Sequence, residues 1–308
     1  VLWVWLVACN EIHLDPVEDT DASALAVVEE SFVQRPHAAI DVLFVVDNTP
    51  SMEVERAVLV EASSALVDAL GELRWHLGVT TTDAVGARAG WLLGSPWVIS
   101  PTSDAPAAAL ARAFESATGG DGAEAGFAAA LQALELASFG GPNAGFRRDD
   151  ASLHLVFVSD ADDHSDATLG AAPQVSFVAA LEAHANRGLA PRVSAIVGGR
   201  SGCSGAAGQA VPSPRYLDAV EATGGTFASI CDPGYAEILE NLAMEAVDWP
   251  TRFPLSAVPA GDVEVRVDRA PVDGFVVEQQ EGFAELVFAV APPAGAVIEV
   301  SYLVRVGA

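Results

Sequence analysis

Residues 40–46, IDVLFVV, form an almost unbroken apolar run in which Asp41 is the one polar position. Such a run, β-branched and closed by turn residues, fits a strand buried on both faces of a parallel sheet. Residues 153–158, LHLVFV, and 192–197, RVSAIV, repeat the pattern. Weaker strand signals lie at 74–81, at 91–99 (broken by Pro96) and at 226–230. Helical patterning falls between them: 53–70, the Ala-rich 105–116, 123–137, 174–187, 214–223 stopped by Gly224-Gly225, and 235–246. Strands alternating with helices predict an α/β fold, a doubly wound, mostly parallel sheet with helices on both faces.

From residue 249 the pattern changes to short alternating runs, VEVRV at 263–267, FVVEQ at 275–279, ELVFAV at 285–290 and VIEVSYLVRV at 297–306, with Gly and Pro between them. That predicts a small antiparallel β-domain over 249–308. About 55 residues is marginal for an independent core, so this domain is expected to need a partner surface.

The start of the chain is different again. VLWVWLVAC puts eight apolar residues before Cys9, too few to span a bilayer. Leu6-Val7-Ala8-Cys9 resembles a bacterial lipobox at the end of a secretion signal, without the basic residues that normally precede the apolar run. The alternative is a buried N-terminal strand. The resemblance implies a lipid anchor at Cys9 and an exported protein held at the cell envelope, on the outer membrane or cell surface. Residues 10–37, rich in Asp and Glu, then read as a solvated tether, and residues 38–248 as the α/β domain.

Composition narrows the partners. The 308 residues carry 42 acids against 15 basic residues, all arginine, for a net charge of -27. A surface of that sign repels phosphate backbones, so nucleic acid is not an expected partner. Export also permits a disulfide. Cys203 and Cys231 follow the fifth and sixth strand candidates, neighbours in the expected sheet, and a bridge between their loops is predicted.

The chemistry concentrates where two strands end. After 40–46 comes Asp47-Asn48-Thr49-Pro50-Ser51, which places a carboxylate and two hydroxyls on alternate positions of one turn. Ligands of open α/β sheets bind beyond the carboxyl ends of the strands, and hard cations take oxygen donors. The same residues are also ordinary helix-capping loop chemistry. The second turn, Ser159-Asp160-Ala161-Asp162-Asp163, follows 153–158.

A strand, a D-x-[ST]-x-S turn and a helix, then a Gly-Gly turn into a helix, then a strand ending in an acidic turn resemble a von Willebrand factor type A (VWA) domain with a metal-ion-dependent adhesion site. The resemblance covers about residues 38–246. It implies a metal held by Asp47, Thr49, Ser51 and Asp160. Asp121, in Gly119-Gly120-Asp121, stands where the family usually has Thr; Thr118 is the fallback, and Asp162 and Asp163 are supporting positions at the rim. The implied ion is a divalent cation, Mg2+ first, with Mn2+ or Ca2+ as alternatives. Three carboxylates would hold it harder and attract an anionic ligand less.

The function expected on this reading is metal-dependent protein interaction or adhesion by a surface-tethered lipoprotein. The unidentified protein partner would supply a carboxylate or another oxygen donor. The alternative is an envelope scaffold whose metal is absent or only structural. A metal-assisted hydrolase ranks last, because the sequence offers no G-x-S-x-G, no P-loop and no Ser-His-Asp set in recognisable context.

Overall fold

The computed structural model describes residues 16–17, 24–34, 39–71, 73–120, 124–185, 190–205, 208–232, 234, 238–239, 250–280, 282–293 and 295–306. The chain divides into two compact units, one of residues 38–247 and one joining residues 1–37 to 248–308.

The larger unit is built on a five-stranded sheet. Its strands are β1 (Ala39–Val46), β2 (Arg74–Thr81), β3 (Ser152–Val158), β4 (Arg192–Val197) and β5 (Phe227–Ser229). Their spatial order is β2-β1-β3-β4-β5, and every neighbouring pair is parallel. Among the described residues five helices of ten or more residues flank the sheet: α1 (Glu53–Leu70), α2 (Pro106–Glu115), α3 (Gly126–Leu136), α4 (Pro173–Glu182) and α5 (Pro214–Thr223).

The alternation of side chains along β1 explains the two layers of helix. Ile40, Val42, Phe44 and Val46 pack with Leu59 and Leu66 of α1 and Leu110 of α2. Leu43 and Val45 point to the other face, into a core with Phe127 of α3, Phe177 of α4 and Tyr216 of α5. All eight residues of β1 are buried, as a continuous apolar run requires. Asp41 is the polar exception, and its carboxylate is satisfied by Arg147 Nη1 at 3.0 Å, Arg148 Nε at 2.8 Å and the Arg148 amide at 2.8 Å.

One strand candidate fails. Residues 91–99 form no strand; only the antiparallel bridge between Leu77 and Ile99 remains. Gly90 and Gly94 adopt φ of +70° and +88°, and Pro96 has no N–H to give to a ladder. The helix candidate at 235–246 lies outside the described residues apart from Ile238 and Leu239.

The smaller unit corrects the expected tether of residues 10–37 over residues 24–33; most of residues 10–23 lie outside the described residues. Ala24–Val33 is a ten-residue strand, antiparallel to Val297–Val306 along its whole length, from Val33↔Val297 to Ala24↔Val306. Of its two acids Glu29 is exposed and Glu30 is buried. Val28 is buried, and Glu30 turns inward to accept a 2.6 Å hydrogen bond from the Tyr302 hydroxyl. Val263–Val267 pairs with the other side of Val297–Val306. A separate three-stranded sheet holds Arg252–Pro254, Phe283–Phe288 and Phe275–Gln280. Phe253, Leu286, Phe288, Ile298 and Val300 form the core of this unit. The N-terminal strand thus supplies part of the core that 249–308 lacks alone.

Candidate functional site

The order β2-β1-β3-β4-β5 reverses direction at β1, so the loops after β1 and β3 leave the sheet on either side of a topological switch point. Parallel register then sets the chemistry. Val46 stands opposite Val158, and the Asp47 amide donates to the Val158 carbonyl at 2.9 Å. Asp47 is therefore carried to the level of Ser159 and Asp160.

Asp47 is fully buried and densely bonded. Its Oδ1 accepts from the Thr49 amide at 2.9 Å and from Thr49 Oγ1 at 2.7 Å, an Asx turn reinforced by a hydroxyl. Its Oδ2 accepts from Ser159 Oγ at 2.7 Å. Ser51 Oγ lies 3.0 Å from Thr49 Oγ1. The Asp160 carboxyl meets the Ser51 hydroxyl and stands against the Asp47 carboxyl; burial first, and then the Asp47 charge, push its pKa up, while the Ser51 bond pulls it down. Asp47, Thr49, Ser51 and Asp160 are thus brought together. Ser159 joins them, and sequence reasoning missed it, because a serine before an acidic turn carries no signal without the register of β3 on β1.

The remaining sequence candidates go elsewhere. Asp162 and Asp163 cap helices. Asp163 Oδ1 accepts from the Phe127 amide at 2.9 Å and Ser165 Oγ at 2.8 Å, and Ser165 Oγ accepts from the Ala128 amide at 3.0 Å. The pair closes the first turn of α3 from a distant loop. Asp162 receives the Arg215 amide at 3.2 Å in the first turn of α5. Thr118 is exposed, and among the described residues no hydrogen bond joins it to Asp47 or Asp160. Asp121 lies outside the described residues; nearby, the Gly120 amide donates to the Asn48 carbonyl at 3.1 Å. A Cβ on Gly120 would meet Asn48 Oδ1 at 2.5 Å, so the glycine is required for the loop to approach.

Two further acids surround the group. Glu55, in the first turn of α1, and Glu124, before α3, are both buried. Burial raises both pKa values, and the Asp47 charge raises each further; Asp160 also acts on Glu55. The nearby guanidinium of Arg56 is committed to the Thr49 carbonyl at 2.8 Å. Beneath the group, the Tyr216 hydroxyl is fully buried, and burial and then the charges of Asp163 and Asp47 raise its pKa.

Among the described residues no group of three or more His, Cys, Asp and Glu side chains is placed to hold a metal. The assembled donor set is two carboxylates and two hydroxyls, and oxygen donors of this kind suit a hard cation. Three buried polar atoms around the group have no hydrogen-bond partner: Asn48 Oδ1, Glu55 Oε2 and the Tyr216 hydroxyl.

Cys203 and Cys231 form the predicted disulfide. It ties Cys203, which opens the hairpin of Cys203–Gly205 and Gly208–Ala210, to the loop after β5. The hairpin borders the acidic group: the Val211 amide donates to the Asp160 carbonyl at 2.9 Å, and a Cβ on Gly208 would meet Glu55 Oε1 at 2.5 Å. No described helix is long and apolar enough to cross a membrane.

No family model matches the chain, and no curated protein does. Among solved structures, the pilus adhesin SpaC from Lactobacillus rhamnosus GG is 14% identical over 94% of this chain and 42% of its own, with a TM-score of 0.39. The conserved hypothetical protein BatB from Bacteroides thetaiotaomicron is 16% identical over 67% of this chain and 98% of its own, at 0.40. The pilus adhesin RrgA from Streptococcus pneumoniae is 10% identical over 96% and 60%, at 0.35. The chain thus spans less than half of SpaC and under two thirds of RrgA. At TM-scores of 0.40 and below these overlaps are loose.

Proposed function

We propose that the larger unit is a VWA-type domain that binds a divalent cation through Asp47, Thr49, Ser51 and Asp160, and that the protein is a surface binding module rather than an enzyme. The observation that carries this reading is the buried Asp47 carboxylate gathering the Thr49 and Ser159 hydroxyls, with Ser51 Oγ 3.0 Å from Thr49 Oγ1 and with Asp160, Glu55 and Glu124 each raised in pKa by burial and by the Asp47 charge. Like charges sharing a poorly solvated site repel strongly, and a cation between them relieves the repulsion. The orphaned oxygens of Asn48, Glu55 and Tyr216 fit the same occupant, as acceptors or donors for the water around an ion. The ion would polarise an oxygen donor offered by a protein partner, and a partner carboxylate would complete its coordination. The exported, lipid-anchored location proposed for the chain accords with the Cys203–Cys231 disulfide.

Calorimetric titration of the full chain with Mg2+, Mn2+ and Ca2+, beside Asp47→Ala, tests this. Saturable binding in the wild type and none in the variant is expected. A folded wild type that binds none of the three would make the unit a metal-free scaffold.

A further inference from the structure

We infer that Glu55 is a third carboxylate of the cation site, reaching the ion through one water molecule and strengthening its hold. The inference rests on the cation-binding reading above, and it concerns a residue outside the D-x-[ST]-x-S turn.

Glu55 is only 4% exposed, and its Oε2 has no hydrogen-bond partner. A buried carboxylate oxygen left unpaired costs several times what an ordinary hydrogen bond returns, so such a group calls for a partner that the protein itself does not supply. The candidates within the protein are already engaged. Arg56 donates to the Thr49 carbonyl. No ion pair to Glu55 is formed among the described residues. The charges acting on Glu55 are Asp160 and Asp47, both negative, and Arg56, whose guanidinium lowers the Glu55 pKa without bonding to Oε2.

The surroundings hold Glu55 in this position rather than let it turn to solvent. It sits in the first turn of α1, four residues after Ser51, so the helix that begins at the ion-binding turn also carries Glu55. On its other side is Gly208, in the hairpin that the Cys203–Cys231 disulfide anchors. Gly208 has φ of +142°, and a Cβ there would meet Glu55 Oε1 at 2.5 Å. The hairpin closes over one carboxylate oxygen, Oε1, while Oε2 is left without a partner. The same hairpin continues to Val211, whose amide holds the Asp160 carbonyl at 2.9 Å. Glu55 and Asp160 are therefore positioned by one element.

Among the described residues no three carboxylates are grouped to hold an ion directly, so the contact of Glu55 is placed through water. Calcium-type sites commonly complete their shell this way. Carboxylates one water away still contribute, and losing such a partner typically weakens metal binding about 10- to 100-fold.

The test is calorimetric titration of the full chain with Ca2+ and with Mg2+, comparing wild type, Asp47→Ala, Glu55→Gln and Gly208→Ala, with thermal unfolding of each in chelator. Glu55→Gln keeps shape and removes charge, so its cation-free stability is expected to hold or rise. Its affinity for both ions is expected to fall about 10- to 100-fold. Gly208→Ala, which displaces the carboxylate without removing it, should also weaken binding. Wild-type affinity in a folded Glu55→Gln, with binding lost in Asp47→Ala, overturns the role of Glu55 and leaves the ion site standing. No binding by the wild type overturns both.

Discussion

At the scale of single residues, the acidic turn after β3 shows how neighbouring acids divide the work. Asp160 faces Asp47; Asp162 caps α5; Asp163 caps α3. Asp163→Ala would leave the Phe127 amide and Ser165 without their acceptor in a buried place. A cost of about 2–3 kcal/mol is expected, read as a lower urea midpoint at unchanged slope. The sequence made all three acids visible and could not sort them, since which helix end arrives beside each one is a matter of long-range packing. A second residue sets a pH limit. His154 is buried in β3 with Nε2 2.8 Å from Ser194 Oγ and Nδ1 unpaired, and burial lowers its pKa to about 3. Its unfolded value is near 6.5, so between these values the unfolded chain binds the extra proton. Stability therefore falls as pH drops below about 6.5, approaching 1.4 kcal/mol per unit from this group until its folded pKa is reached. Urea titrations from pH 7 to 4 should show a shallower decline in His154→Gln; an unchanged decline would mean that the wild-type histidine finds a way to charge inside the fold.

At the scale of elements, patterns of buried strand were the most legible part of the chain. β1, β3 and β4 fall within a residue of the apolar runs, because a strand buried on both faces has no polar alternation to obscure it. The strand Ala24–Val33 was hidden for the opposite reason. Its Glu29-Glu30-Ser31 run interrupts the apolar pattern, and its partner Val297–Val306 lies near the other end of the chain, so no local signal marks the pairing. The hairpin at 203–210 is a third case: its residues are small and polar, and what fixes it is a covalent bond across a sequence separation of 28. Closing a loop of that length stabilises by about 3–4 kcal/mol in the chain-entropy account. A Cys203→Ser/Cys231→Ser double variant is expected to lose stability of that order. It should also bind divalent cations more weakly, because Val211 and Gly208 no longer hold Asp160 and Glu55 in place. Equal cation affinity in the folded double variant would limit the disulfide to stability alone.

At the scale of the whole molecule, two separate cores and one acidic site make a prediction that neither unit makes alone. The larger unit buries its apolar residues on both faces of the parallel sheet, and the smaller between its own two sheets. Units with their own cores unfold as units, so calorimetry should resolve two transitions. A cation at about 100 times its Kd stabilises the form that binds it by about 2.7 kcal/mol, which for a unit of roughly 200 residues raises Tm by about 5–10 °C. Only the transition of the larger unit should move. The net charge of -27 complicates the reading, since any salt screens self-repulsion and stabilises a compact acidic chain. Screening has no preference for Asp47, however. The comparison is therefore made at matched ionic strength, with monovalent salt against divalent cation and wild type against Asp47→Ala. Site binding predicts a shift that needs both the divalent ion and Asp47, and that is confined to one transition. A shift shared by both units, or kept in Asp47→Ala, would assign the effect to the acidic surface as a whole.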